Sequence, residues 1–541
     1  MKFPRRLSLT APVLALLLTG ASWTPGLPGP AAMPLAHADE GNADAVDRAR
    51  ATLVGLIGQE AQLLPRAKSV KRLAVLDSKR AMVGLLEGLG IFVEKWSSRR
   101  VRAAALYKTF TEQGYDKFTS NGDPRFWDTK KKLTEKVERN DKVLREDAAV
   151  ARVFVAAISK LTDSEATGHL ASSLKTDTNR VSRGIVYEGL LRNPEVDPVA
   201  LTKRALKDSD PTVRLAALGA LATRTLPDLV KIVIPSLKEK GWPHRQAAAR
   251  ALGAFGDVRA VLPLINAMGQ EEGRLVEDYA DALAKIVTEK LGPNPDSWKA
   301  WYEDHKDKLL EMGASKGTVK RPKKIQRKAV SYYGIKTLSK RLVFIIDISG
   351  SMKEIIGEEK KGPTTGDKPE NYNGPKIEIA KRTLKQAIRG LSTDTYFNIV
   401  VYNHGVRRFQ ETMLKADQDG KNEAYLMINE LKPSGATYTY GALKEAFLMA
   451  GRGVTDKAYN PGVDTIFLLS DGAPTDSDVD NAKPMEGDKI IKAVDDWNAL
   501  SRVQIHTIAI DPRVSTGRFI KFMKSLAVKN NGSYTTIPPQ K

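Results

Sequence analysis

At roughly 100 to 200 residues per domain, 541 residues make two to four domains, and 42% hydrophobic with 28% charged residues is a globular composition. A mainly disordered, collagenous or polytopic membrane chain is thereby excluded. The 85 Lys plus Arg against 64 Asp plus Glu leave a net charge of +21, which favours anionic surfaces without naming one. With no cysteine, a disulfide framework, thiolate nucleophile, zinc finger or iron-sulfur cluster is impossible, so any bound metal must sit on oxygen or imidazole.

In chain order, Lys2, Arg5 and Arg6 precede an apolar stretch from about Leu7 to Ala21, a Pro/Gly-rich segment, and Ala36-His37-Ala38 before Asp39. Charged, apolar and small-residue zones in this order are the layout of a signal peptide, and the apolar stretch falls short of the roughly 20 residues that span a bilayer. Cleavage after Ala38 is expected, retention as an anchor being the alternative; either way the bulk of the chain is exported. Cleavage would leave +18 on the mature chain, since no acid precedes Asp39. Residues 39–163 read as helical, with Leu53, Leu56, Ile57, Leu63 and Leu64 at helical spacing and no chemical motif, as a packing domain or a stalk.

Leu190, Leu221, Leu252 and Leu283 then recur with a period of 31, in Ala-rich surroundings at Val213 to Leu218 and His244 to Ala249. Asp210-Pro211 has the form of an N-cap followed by proline at the first helical position. In the next unit Ala260, Val261, Leu264, Ile265 and Met268 make one apolar face. Such helix pairs cannot bury their stripes alone and must stack into a solenoid. The segment resembles HEAT repeats of the short bacterial kind over about 165 to 290, within an expected solenoid domain of 164–312. A basic linker follows at 313–334. Its segment 316–328 reads as a solvated spacer, or as an attachment to an anionic polymer or membrane surface.

Beyond Ser331, apolar runs at Leu342 to Ile346, Phe397 to Tyr402, Thr465 to Leu469 and Val503 to Ile510 alternate with helical patterns near 376–390, 441–450 and 487–500. This alternation predicts a parallel α/β sheet, whose ligands bind at the carboxyl ends of the strands. The first run ends in Asp347-Ile348-Ser349-Gly350-Ser351 and the third in Ser470-Asp471-Gly472, while the loop Gly435 to Gly441 brings Thr437 to the same rim. Hydroxyls with carboxylates are hard oxygen ligands, suited to Mg²⁺, with Mn²⁺ or Ca²⁺ as alternatives.

At these residues the chain resembles the von Willebrand factor A domain, and the set Asp347, Ser349, Ser351, Thr437 and Asp471 resembles its metal-ion-dependent adhesion site. The resemblance covers about 335 to 538, including Ser525-Leu526-Ala527 and Asn531-Gly532-Ser533-Tyr534. It implies a divalent ion held by these five residues, with a position left for a carboxylate of a partner. Two features depart from the family pattern: the threonine loop reads Gly-Ala-Thr where Gly-Gly-Thr is frequent, and an insertion at 353–375 follows the metal loop, where it would shield or gate the site. The expected fold is therefore multidomain: an all-α N-terminal region with a HEAT-like α-solenoid, then a doubly wound parallel α/β sheet at 335–541.

No Gly-x-Ser-x-Gly elbow, His-Glu-x-x-His or phosphate loop occurs, and His169, His244, His305, His404 and His506 are scattered. Asp495-Asp496 reads as a solvated helix face. The leading expectation is an exported, non-enzymatic adhesion protein that captures an acidic group of a protein or anionic surface polymer through the metal. The alternative is nucleic-acid binding, because the Ro autoantigen family also joins helical repeats to a von Willebrand A-like domain, and residues 39–330 carry a net +13. Export and the regular 31-residue period oppose it. An accessory subunit of a chelatase or ATPase is a third class, and needs a cytoplasmic setting.

Overall fold

In the computed structural model the described residues are 43–58, 63–112, 124–314, 317–319, 328–356, 374–410, 412–450, 462–475, 483–498, 502–511 and 517–537. The expected signal segment, most of the basic segment 316–328 and most of the insertion 353–375 lie outside them. Among the described residues no helix is long and apolar enough to cross a membrane.

Four helices come first: α1 (Ala43–Gly58), α2 (Leu63–Val75), α3 (Lys79–Glu112) and α4 (Pro124–Ile158). Leu53 and Ile57 are buried with Val70, Leu73, Phe92 and Phe154, whereas Leu64 is 40% exposed and faces away from this core. Inside it, Asp147 is fully buried and accepts from Arg66 Nη1 at 2.6 Å and from Arg99 Nε at 2.6 Å. Two guanidiniums on one carboxylate keep a buried charge compensated, the condition under which such a group is tolerated.

The same core continues through the solenoid, built from α5 (Ser164–Ser173), α6 (Arg180–Arg192), α7 (Pro198–Ala205), α8 (Pro211–Leu221), α9 (Val230–Val233), α10 (Trp242–Phe255), α11 (Val261–Met268), α12 (Leu275–Val287) and α13 (Pro295–Glu311). Leu190, Leu221, Leu252 and Leu283 are each fully buried on α6, α8, α10 and α12, so the 31-residue register holds in three dimensions. The Asp210 side chain accepts from the Thr212 N–H with Pro211 behind it, and Asp197 and Asn294 cap their own proline-led helices the same way. An ion-pair ladder runs at the same offset: Arg183 to Asp208 at 2.9 Å, Arg214 to Glu239 at 3.0 Å, Arg245 to Glu271 at 2.5 Å. Each arginine also donates to a carbonyl six residues before it, of Asp177, Asp208 and Glu239, which ties each helix start to the preceding turn.

The C-terminal part opens with an antiparallel hairpin, β1 (Val330–Tyr332) and β2 (Ile335–Thr337), followed by β3 (Arg341–Asp347). Two short strands, β4 (Ile355–Ile356) and β5 (Gly374–Pro375), pair at the ends of the insertion and lead into α14 (Lys376–Gly390). Next come β6 (Tyr396–Tyr402), β7 (Val406–Arg408), β8 (Leu414–Lys415), α15 (Gln418–Asn429), α16 (Thr439–Met449), β9 (Thr465–Ser470), α17 (Gly487–Trp497), β10 (Gln504–Ile510), α18 (Gly517–Lys529) and β11 (Tyr534–Ile537).

The main sheet runs β11-β10-β9-β3-β6-β7, with β8 also on β6. Its five long-path strands are parallel, as expected, but β7 and β8 are antiparallel to β6 and make the sheet mixed. β7 returns along β6 through a tight turn in which Asn403 Oδ1 accepts from the Gly405 N–H at 2.8 Å, and β8 pairs with the beginning of β6, at Tyr396 and Phe397. Alternation along β3 splits the core: Leu342, Phe344 and Ile346 pack on the face covered by α14 and α15, Val343 and Ile345 on the face of α16, α17 and α18. Burial on both faces is why these strands read as unbroken apolar runs.

The solenoid docks on this domain through buried polar contacts. Arg274 donates to the carbonyls of Asp464 (2.8 Å) and Arg502, and pairs with Asp278. Glu277 accepts from the Leu338 N–H at 2.6 Å and from the Thr337 hydroxyl at 3.2 Å. Further along, Arg152 pairs with Asp496 at 2.6 Å. Asp496 is therefore no solvated residue: it faces α4, a neighbour that its local sequence does not announce.

Candidate functional site

From β3 the chain goes to β6 on one side, then crosses to β9 on the other. The crevice beyond the carboxyl ends of β3 and β9 is thus the topological switch point, where open α/β sheets bind ligands. Asp347 ends β3 and Asp471 directly follows β9, so the fold delivers both acids there.

Asp347 is fully buried. Its Oδ1 accepts from the Ser349 N–H (2.8 Å) and its Oδ2 from the Ser470 hydroxyl (2.6 Å) and more weakly from the Tyr402 hydroxyl (3.3 Å). These bonds fix the carboxylate and pull the turn after β3 back on itself. Ser349 Oγ lies 3.1 Å from Ser351 Oγ, which donates to Asp471 Oδ1 at 2.8 Å. A Cβ built on Gly472 would come within 3.8 Å of Thr437 Oγ1 and 3.9 Å of Ser351 Oγ, which places the threonine hydroxyl in the same cluster. The five residues singled out in the sequence are brought together from three loops.

Gly435 explains why the threonine loop tolerates its departure from the frequent pattern. It has φ of +72°, and a Cβ there would lie 2.0 Å from His404 Nδ1, so this first position demands glycine. The next residue, Ala436, is not among the positive-φ residues, and a methyl there is free of that strain. The Gly435 carbonyl also accepts from the Gly350 N–H at 2.9 Å, joining the threonine loop to the serine loop.

Sequence reasoning missed three members. Ser470 and Tyr402 hold Asp347, and Lys376, fully buried at the start of α14, donates to Asp471 Oδ2 (2.9 Å) and Glu354 Oε2 (2.5 Å). A lysine opening a helix whose next turns supply Ile377, Ile379 and Ala380 to the core was the available signal, but nothing local points its ammonium at Asp471. Burial works against the Lys376 charge, yet the bonds to Glu354 and Asp471 outweigh it and hold its pKa above the usual value. Burial first, and the neighbouring Asp471 charge second, push the Asp347 carboxyl up. Asp347 and Asp471 repel one another, and the Lys376 ammonium bonds to Asp471, so a cation at these loops would relieve the repulsion that remains on Asp347.

Among the described residues no group of three or more His, Cys, Asp or Glu side chains is arranged to hold a metal. The donor set here is two carboxylates with three hydroxyls, all hard oxygens, and its charge and chemistry fit Mg²⁺ or a similar ion. Two of the histidines are occupied in packing: His244 Nε2 lies 2.7 Å from the Pro211 carbonyl oxygen, and His506 stacks on Phe467 with ring centres 4.8 Å apart.

Two family profiles agree with this architecture. The profile of the von Willebrand factor type A domain matches residues 366–536, and that of HEAT repeats matches 198–284. The voltage-dependent calcium channel subunit alpha-2/delta-4 of Homo sapiens is 28% identical over 210 residues, 38% of this chain and 15% of that protein. The inter-alpha-trypsin inhibitor heavy chain H2 of Mus musculus is 29% identical over 139 residues, 26% of this chain and 13% of its own. Among solved structures, a von Willebrand factor type A protein from Catenulispora acidiphila has 21% identity and a TM-score of 0.27, covering 37% of this chain and 39% of its own. The chain thus spans under one sixth of the length of these two curated relatives. Its C-terminal part is a von Willebrand factor type A domain, preceded by HEAT repeats.

Proposed function

We propose that the chain is an exported, non-enzymatic binding protein that captures an acidic group of a protein or surface-polymer partner at a divalent cation, with the helical repeats as scaffold. The observation that carries this reading is the meeting of Asp347, Ser349, Ser351, Thr437 and Asp471 at the switch point of the sheet. A hard dication bound there supplies a Lewis-acidic position for a carboxylate oxygen. The chain's own residues set up that capture. Ser470 and Tyr402 orient Asp347, Ser351 bridges the two acid loops, and Lys376 holds Asp471 in place. The N-terminal succession of basic, apolar and small-residue zones supports export. The names of two relatives, a channel subunit and an inhibitor heavy chain, are those of components of assemblies, which is consistent with a binding role. Nucleic-acid binding is less well supported, because Arg183, Arg214 and Arg245 on the repeats are spent on carboxylates of the solenoid itself.

Calorimetric titration with Mg²⁺ and Mn²⁺, followed by binding of a fluorescein-labelled decaglutamate peptide with the ion or with chelator, tests the two halves. Asp347→Ala removes charge that a dication needs, whereas Ser351→Ala removes a neutral oxygen, so the aspartate variant loses more metal affinity. Metal affinity untouched by Asp347→Ala refutes the site. Peptide binding that ignores chelator refutes capture at the ion.

A further inference from the structure

We infer that the cleft between the helical body and the von Willebrand A domain is a recognition groove for an acidic peptide segment, continuous with the metal loops. This rests on the reading above and adds the chemistry flanking the captured carboxylate.

The cleft encloses about 790 Å³, within the span of built ligand sites. From α4 it receives Arg139, Lys142 and Arg145, and from α16 and α17 it receives Lys444, Lys489 and Lys492. Opposed walls therefore present cations to the same space. Of its three carboxylates, two are already engaged: Asp496 pairs with Arg152 at 2.6 Å, and Glu146 faces Arg66 at 3.6 Å.

The groove shares backbone with the candidate site. Tyr438 lines it and directly follows Thr437; Met485 lines it, and its N–H donates at 2.7 Å to the carbonyl of Pro474, three residues beyond Asp471. The Thr475 N–H in turn donates to the Thr437 carbonyl at 2.9 Å. A chain whose carboxylate sits at the metal loops thus has its neighbouring residues led into the cleft. The walls are held apart at a defined width, because Arg145 donates to the Tyr440 hydroxyl at 2.6 Å and lies 5.9 Å from that ring's centre.

The lining favours a peptide over a phosphate polymer. Leu63, Met485 and the two tyrosines offer apolar surface between the cations, which the backbone and side-chain methylenes of a peptide can cover and a sugar-phosphate backbone cannot. Acidic side chains spaced along a peptide match that alternation.

The test uses the full chain and three fluorescein-labelled probes: decaglutamate, a Gly/Ser decapeptide, and a ten-nucleotide oligothymidylate. Lys489→Glu with Lys492→Glu reverses two exposed charges on one wall, and Lys142→Glu reverses one on the other. Decaglutamate binding is expected to weaken tenfold or more in the double variant, with or without Mg²⁺, and severalfold in Lys142→Glu, while Mg²⁺ affinity stays unchanged. Asp347→Ala should remove only the Mg²⁺-dependent increment. If Asp347→Ala abolishes peptide binding and the charge reversals leave it intact, the groove is refuted and metal capture stands. Should the reversals abolish binding and Asp347→Ala do nothing, the groove stands and capture at the ion fails. Tighter binding of oligothymidylate than of decaglutamate overturns the peptide assignment.

Discussion

The docking of the solenoid onto the sheet contains two buried titratable groups with opposite pH responses. Glu277 is pushed up to about 7, burial being the main cause, against the Leu338 N–H and the Arg274 charge that pull it down. His506 is pushed down to about 4 by burial and then by Arg274. The raised carboxyl contributes stability that is complete below pH 4.5 and is lost as pH rises through 7. The depressed imidazole contributes stability that is complete above pH 6.5 and is lost as pH falls through 4. At 1.36 kcal/mol per unit each full swing is on the order of 3 kcal/mol, and between the two ordinary values the swings oppose and largely cancel. Removing one group exposes the other. Glu277→Gln keeps a carbonyl oxygen for the Leu338 N–H but no longer titrates, so from pH 7 to pH 5 it should lose about 2 kcal/mol relative to wild type. His506→Gln should gain about 2 kcal/mol over the same interval. Urea unfolding followed by tryptophan fluorescence at pH 5, 6 and 7 measures both, and comparing differences across pH removes any constant packing cost of each substitution. If both variants follow the wild-type pH profile, the two groups titrate alike in folded and unfolded chains and the buried electrostatics of the docking are wrong.

Two further outcomes are expected. Leu221→Asp and Leu252→Asp each put a carboxylate into a fully buried repeat position, at a cost of several kcal/mol or local unfolding, and thermal melting like wild type would disprove the shared register. Gly435→Ala forces a side chain onto a backbone at φ +72° and against His404, at a cost of about 1–3 kcal/mol, and should weaken Mg²⁺ binding in calorimetry; Ala436→Gly should leave that binding intact.

How much of this was legible depended on whether the cause lay in the local sequence. The strands at 341–347, 396–402 and 465–470 were visible because burial on both faces leaves uninterrupted apolar runs, and α14 was visible because Ile377, Ala380, Leu384 and Ile388 recur on one side. Edge strands β7 and β8 were not visible: two or three residues long and half exposed, they exist because β6 offers them an open ladder. That Asp347, Ser349, Ser351 and Asp471 share a rim was legible because they follow the apolar runs of β3 and β9, whereas Thr437, on the loop that opens α16, was joined to them by the resemblance to the von Willebrand A pattern. Ser470, Tyr402 and Lys376 were not legible, since their roles arise from contacts across 123, 55 and 95 residues of chain. The arginine ladder was within reach: Arg214 and Arg245 stand in the very Ala-rich blocks that revealed the period, and only their acid partners, 25 and 26 residues on, needed the fold.

That ladder also bears on why the helical body is more than a spacer. Its rungs fall at Arg183, Arg214 and Arg245, each turned inward to an acid of the solenoid. In the next unit the arginine is Arg274, two residues short of the repeat offset. It keeps an acid in its own helix, Asp278, and reaches outward to the carbonyls of Asp464 and Arg502 at the amino-terminal approaches to β9 and β10. Charge-assisted bonds to buried carbonyls are costly to leave unmade, so this contact sets the orientation of the sheet against the solenoid. Separately from these contacts, Arg145 and Arg152 of α4 grip Tyr440 and Asp496. With Arg274 fixing the solenoid and these two arginines fixing α4, the width of the groove between α4 and the sheet domain becomes a property of the whole chain.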